Sequence, residues 1–198
     1  MALFDRAKNI LLSPKTEWLV INNETETPHS LLIKYVIPMA LIPAIALFIG
    51  YGLIGFDVLV ARISGINWGI EMALISFVSS ITGYYLCTYV IDALAANFGS
   101  EKNIGKSAQL VAYSYTASWV AGIFSILPSL SILGLLGLYG IYLFYLGIPV
   151  LKKTPEDKRL GYMVVSALVI IVVSIVLNLI ISRIAYAVGG NPFLGILS

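Results

Sequence analysis

Residues 31–55 read LLIKYVIPMALIPAIALFIGYGLIG, with Lys34 as their one charge. An apolar run of more than about 20 residues is long enough to cross a bilayer as an α-helix. No alternation of apolar and polar residues marks the run as a barrel strand, and lipid cannot satisfy the backbone of any open structure. Four further runs of the same character follow, at about 70–96, 107–127, 130–151 and 160–187. An Asp57–Trp68 loop, GSEKNIGK, a PSLS turn and KKTPEDKR connect them. The expectation is an all-α membrane protein. Residues 31–198 would form a bundle of five transmembrane helices, and residues 1–30 a cytoplasmic amphipathic arm and linker.

Composition agrees. The chain has 198 residues, 59% hydrophobic and 11% charged, with a mean hydropathy of +0.94. A soluble domain has about a quarter of its residues charged. A net charge of +2 is too small to point to nucleic acid. The single Cys87 excludes an internal disulfide, and the single His29 without a cysteine cluster argues against a zinc or iron centre. No cofactor is expected. The first thirty residues lack a secretory signal's apolar run and cleavage site, so the first span is expected to serve as an uncleaved insertion signal.

Basic residues set an expected direction. With the N-terminus in the cytoplasm, Arg6, Lys8, Lys15, Lys34, Lys102, Lys106, Lys152, Lys153, Lys158 and Arg159 lie inside, and Arg62 and Arg183 outside. That is ten against two. The positive-inside bias places the N-terminus in the cytoplasm and the C-terminus on the opposite side of a cell (inner) membrane. Lys152, Lys153, Lys158 and Arg159 form a basic loop suited to anionic headgroups, tempered by Glu156 and Asp157. In TPED, Thr154 reads as a helix N-cap and Pro155 as the first turn, with acidic residues where the helix dipole favours them. The last helix would then rise roughly 48 Å to Ala187 and must tilt or project beyond the bilayer. Pro38 and Pro43 are expected to kink the first span.

Within the arm, Leu3, Phe4, Ala7, Ile10 and Leu11 share a helical face opposite Asp5, Lys8 and Asn9, and Pro14 ends the pattern. Trp18, Leu19 and Ile21 suit a second short interfacial piece. Such an arm lies either on the inner membrane surface or against the protein's own cytoplasmic face.

Inside the spans the polar residues are ordered. Thr82, Tyr85, Tyr89 and Asp92 fall on one side of the second helix together with Glu71, while Ser76, Ser79, Gly83 and Cys87 fall on the other. The third span pairs a small face of Ser107, Ser114, Ser118, Ala121 and Ser125 with a polar side of Gln109, Tyr113 and Thr116. The fourth sets Gly134, Gly137, Gly140 and Gly147 against Tyr139, Tyr142 and Tyr145, and the fifth carries Ser174, Asn178 and Ser182. Small faces let helices approach in lipid, where apolar side chains gain nothing by associating. The polar faces either tie helices together and sit at headgroup level, or converge on a hydrated, tyrosine-lined interior. Each carboxylate, Glu71 and Asp92, is expected near an opposite interface.

Enzymatic readings fail on the residues. Aspartyl proteolysis needs a second facing aspartate, serine proteolysis needs a base, and no span contains histidine. LGLLGLYGIY has no lysine to make it a phosphate loop.

The chain resembles the bacterial branch of the Yip-one family, multipass proteins whose eukaryotic members interact with Rab-type GTPases. The resemblance lies in LLSPKTEWLVI with KYVIPMALIPAIALFIG, then in QLVAYSYTASWVAGIFSILPSLSILGLLGLYGIYLFYLGIPVL with KKTPEDKRLGY behind it. One departure is Ala117, where such proteins often carry proline after YSYT, so a kink there is expected to be weaker. The resemblance implies five helices, a cytoplasmic N-terminus and no catalytic site, and it carries no functional residue across. Together these readings lead to a non-enzymatic protein that organises membrane or partners. The alternative is a small transporter, channel or lipid-binding protein. Membrane lipids are the expected partners, with a second copy or another protein open.

Overall fold

A computed structural model describes residues 2–58 and 61–189, and their side chains except at 56–58, 61, 62, 128, 178, 181 and 184–189. The described chain is helical, apart from a two-stranded antiparallel hairpin of β1 (Phe56–Val58) and β2 (Ala61–Ile63) in the first interspan loop. The arm folds as α1 (Leu3–Leu12) and α2 (Pro14–Asn22), divided where Pro14 opens the second helix. Thr27 caps the next helix, accepting from the Ser30 backbone N–H at 3.1 Å.

The first span is helical from Pro28 to Ile54. It comprises α3 (Pro28–Leu31), a π-helical stretch Leu32–Val36, α4 (Ile37–Leu47) and a second π stretch Phe48–Ile54. The irregular turns flank the part holding Pro38 and Pro43, where missing donors loosen the ladder. Gly55, at φ +74°, then turns the chain into the hairpin. A Cβ there would lie 2.5 Å from the Ile63 carbonyl oxygen.

The second span, α5 (Ile66–Leu94), continues as a 3-10 turn to Phe98. The 107–127 run is segmented into α6 (Ile104–Ser114), α7 (Thr116–Ala121) and a 3-10 turn Gly122–Ile126. Its interruption falls at Tyr115, beside the position where proline is absent. The run occupies the centre of the bundle, with every residue from Ser107 to Ser114 buried. The next span begins as an eleven-residue 3-10 helix, Pro128–Leu138, and becomes α8 (Tyr139–Lys152). The last, α9, runs Glu156–Gly189. Four of these helices, Pro28–Ile54, Ile66–Phe98, Ser129–Lys152 and Glu156–Leu177, are long and apolar enough to cross a membrane. Thr154 does not act as the expected side-chain cap: its hydroxyl lies 2.8 Å from the Ser100 hydroxyl, joining the loops before α6 and α9.

Close approach occurs at particular small residues. Gly52 and Gly69 bring the first span and α5 into backbone contact, and Gly122 receives Pro43. In the 3-10 segment the three-residue period stacks Gly134, Gly137 and Gly140 along one edge. Added Cβ atoms at Gly137 and Gly140 would meet the Ser118 Cα at 3.0 Å and the Ser114 carbonyl oxygen at 2.7 Å. Gly83 and Gly134 behave differently. Nothing lies within 4 Å of a Cβ at either, so neither packs a neighbouring helix as the small-face reading required.

These distances predict a split in a glycine-to-alanine series. Gly122→Ala and Gly140→Ala should destabilise by about 1–3 kcal/mol through overpacking against backbone and proline. Gly83→Ala should be neutral or gain about 0.5–1 kcal/mol of helix propensity. Unfolding of the purified protein in mixed detergent micelles measures each difference.

Candidate functional site

The end of the bundle that receives the arm holds a layer of buried charge. Lys152, at the last turn of α8, has no exposed surface. Its ammonium donates to Ser107 Oγ at 2.7 Å, Asp92 Oδ1 at 3.2 Å and the Asn103 carbonyl at 3.3 Å. Ser107 in turn donates to Asp92 at 3.1 Å. Three helices, α5, α6 and α8, are thereby joined through one cation. Lys152 is therefore not a headgroup contact, in contrast to the sequence reading. Burying an ammonium requires an anion and a full set of acceptors, and the layer supplies both. Lys153, by contrast, is exposed and paired with Glu101 at 2.6 Å. Lys158 is exposed, and Arg159 turns back on α8.

A second buried charge group fastens the arm. Arg6 is buried and pairs with Glu17, also buried, and with Glu24. Its guanidinium lies 5.3 Å from the centre of the Tyr113 ring. Around it, Tyr113 meets Trp18 and Tyr35 edge to face, with ring centres 6.4 and 4.8 Å apart. Tyr35 and Thr116 share a hydrogen bond of 2.7 Å. The C-terminal carbonyls of α2 and its following turn are also taken up. Lys106 reaches those of Asn22 and Glu24 at 2.7 and 2.8 Å, and Gln109 that of Glu24 at 3.1 Å. Burial lowers the Lys106 pKa from its ordinary value, with Glu24 opposing the shift.

The arm thus packs on the protein's own face. Ile10, Trp18 and Ile21 have no exposed surface. Phe4, in contrast, is 75% exposed and Leu12 72% exposed. Helix α1 lies over Met39 and Ile42 of α4 and Val120 and Ile123 of the α7 segment, leaving an apolar cleft of about 380 Å³. The Tyr139 hydroxyl donates to the Leu11 carbonyl at 3.1 Å.

The tyrosines do not converge on an interior. Tyr89 is 59% exposed and Tyr142 43%, and Tyr139 is also exposed, so these three face outward. Thr82, Tyr85 and Tyr145 are half-buried. Of the residues expected to form a polar interior, Gln109, Tyr113, Thr116 and Asp92 are buried, but in two separate groups. The Asn178 side chain lies outside the described residues. Glu71, near the other end of α5, is buried, with Oε1 lacking a hydrogen-bond partner.

Outward tyrosines mark a level. From Tyr89 to Ile66 α5 rises roughly 34 Å. From Tyr142 to Pro128 the α8 span covers roughly 26 Å, its 3-10 part rising faster per residue. The two lengths bracket the ~30 Å hydrocarbon layer, and exposed tyrosine is favoured at its boundary. The charge layer at Asp92 and Lys152 then lies outside the hydrocarbon. Helix α1 rests on Met39, Ile42, Val120 and Ile123.

Small residues of α5 find another use. Ser76, Ser79, Ser80 and Gly83 line a cavity of about 460 Å³ together with Ser118, Trp119 and Ser174. Trp119 donates its indole N–H to Ser80 Oγ at 3.4 Å. Ser79 and Ser118 therefore border space, as does Gly83, which packs no neighbouring helix. Cys87 and Ser114 are buried, and the Cys87 sulfur lies 3.1 Å from the Tyr115 hydroxyl.

Sequence reasoning missed Arg6, Glu17, Trp18, Tyr35 and Lys106. A signal was present. Leu3, Arg6, Ala7 and Ile10 follow i, i+3, i+4, i+7, as do Pro14, Glu17, Trp18 and Ile21. Each apolar stripe contains one charge, and the two charges are of opposite sign.

Comparison with known proteins gives one family. Residues 8–178 match the model of the Yip1 domain. The chain is 27% identical over 117 residues to inner membrane protein YohC of Escherichia coli K12, covering 58% of this chain and 60% of that protein. The same figures hold for YohC of Escherichia coli O6:H1 strain CFT073. The chain thus matches 60% of the length of these curated relatives. No solved structure matches.

The buried pair predicts a non-additive cycle. Lys152→Met should cost about 3–5 kcal/mol, because Asp92 stays buried without its cation, and the Lys152→Met, Asp92→Asn double variant should recover much of that loss. Detergent unfolding of the four proteins reads the coupling, and simple additivity would count against a paired layer.

Proposed function

Because the chain belongs to the Yip1 domain family, we propose that this multi-pass membrane protein is a non-enzymatic organiser of the inner membrane. In this reading all five apolar runs cross, with the segmented α6–α7 run as the central one. The N-terminus is cytoplasmic and the C-terminus lies on the opposite side. Ten of twelve basic residues on one side support that direction, and the name of the YohC relatives supports the location.

The observation that carries the proposal is the placement of α1. An amphipathic helix at a membrane surface sinks its apolar face about 5–10 Å into the headgroup–acyl boundary. Here Ala7 and Ile10 are committed to the protein, while Phe4 and Leu12 point outward at the tyrosine level. The helix acts as a wedge in the inner leaflet, and its charged lock to α2 fixes where it sits. Family members in eukaryotes are associated with traffic and membrane shaping, which fits a wedge of this kind.

The alternative, a small transporter, channel or lipid-binding protein, draws its support from the serine-lined cavity. Its wall is largely apolar, and the serine hydroxyls in it offer partners for water. Under that reading Gly83→Leu, which fills the cavity, abolishes a solute-specific flux.

The wedge is tested in liposomes. Reconstituted protein is expected to shift vesicles to smaller or tubular forms in cryo-electron microscopy. The Phe4→Asp, Leu12→Asp variant should lose most of that effect while melting normally, because each replacement removes about 1.5–3 kcal/mol of apolar anchorage and no internal contact of the core. Remodelling that survives this variant would refute the wedge.

A further inference from the structure

Between α5, α6, α8 and α9 lies a second cleft, of about 220 Å³, whose lining is almost wholly apolar. Val111, Phe144, Met163 and Ile170 form its walls, and the exposed Ile141 and Ile171 stand at its mouth. No residue of α1 or α2 lines it. The polar groups among the lining residues are Ser114, whose hydroxyl is buried, and Cys87 and Tyr115, whose sulfur and hydroxyl lie 3.1 Å apart. An apolar cleft open to a bilayer fills with hydrocarbon, and a volume this far below that of an ordinary ligand pocket suits part of one chain, not a whole molecule.

The rim of the cleft carries positive charge. Met163 lies one helical turn from Arg159, whose guanidinium stacks 3.6 Å from the Tyr145 ring centre. Nε and Nη2 donate to the Tyr145 carbonyl at 2.9 and 2.6 Å. These contacts hold the cation between α8 and α9, at the arm end of the groove between them. Lys158 is exposed, with its ammonium beside Gly99 at the end of the second span. The Arg159 cation above an apolar cleft complements a phosphate above an acyl chain.

We propose that this cleft is a binding site for an anionic phospholipid of the inner leaflet. One acyl chain enters between α6, α8 and α9, and Arg159 holds the phosphate. The site is separate from the wedge, so the two can fail independently.

The test uses the full chain in phosphatidylcholine nanodiscs carrying a phosphatidylglycerol with a photoactivatable group in one chain. Mass spectrometry then locates the crosslinks. Labelling is expected within Val111–Tyr115 and Met163–Ile171, and saturable by unlabelled phosphatidylglycerol. Ala167→Phe and Ile170→Trp, which fill the cleft from two positions, should each reduce labelling about tenfold or more, since several methylenes lose their seat at ~0.8 kcal/mol apiece. Arg159→Gln should cut the preference over the matching phosphatidylcholine probe about fivefold. The Phe4→Asp, Leu12→Asp variant should label like the parent. Labelling spread evenly over the exposed faces of α5 and α9, labelling that does not saturate, or full labelling of a folded cleft-filling variant would overturn the proposal.

Discussion

A lysine with no exposed surface joins three helices at one end of this bundle, and the rest of the architecture follows from where that charge can sit. Lys152 reaches Asp92, Ser107 and the Asn103 carbonyl together. In the centre of a bilayer such a group would be expensive. Placed beyond the outward tyrosines, it costs far less, and the helices must extend past the hydrocarbon to reach it. That requirement accounts for α5 running to Leu94 and for α9 starting at Glu156. The extra length builds a protein core outside the lipid layer, with Trp18, Tyr162 and Leu110 all fully buried there.

Much of the architecture was legible because lipid imposes a simple rule. Helices must satisfy their own backbone, so long apolar runs announce themselves, and four of them fold as continuous helices of crossing length. The 107–127 run was harder to read. Its polar residues suit a segment buried in protein from Ser107 to Ser114, and that burial permits the turn at Tyr115. Hydropathy registers only the apolar average of that run and not its enclosure.

Site residues were less legible for a related reason. A helical wheel ranks faces but does not say what each face meets. Tyr85, Tyr89 and Asp92 share a side, yet Asp92 turns to Lys152 while Tyr89 turns outward. Small residues are ambiguous in the same way. Gly137 and Gly140 admit the α6–α7 backbone, while Gly83 borders a cavity, and both uses require the same missing side chain. Charge within an apolar stripe would have been more informative than either. Arg6 and Glu17 occupy matching positions of two consecutive stripes, a pattern that a free surface helix has no reason to adopt and that a docked hairpin needs.

The docked hairpin changes what an amphipathic helix can do. A free helix of ten residues is marginal in water and must order itself as it enters the membrane, losing part of its binding energy to conformational entropy. Helix α1 is ordered beforehand by Arg6, by the Trp18–Tyr113 contact and by Lys106 on the α2 carbonyls. Two outward apolar side chains, Phe4 and Leu12, are too few to anchor a detached peptide firmly. On a helix whose position is already set by the bundle, they need only displace headgroups at one depth. Under the proposed function, rigid attachment turns a weak membrane anchor into a local wedge, and the helical bundle supplies the anchorage that α1 by itself lacks.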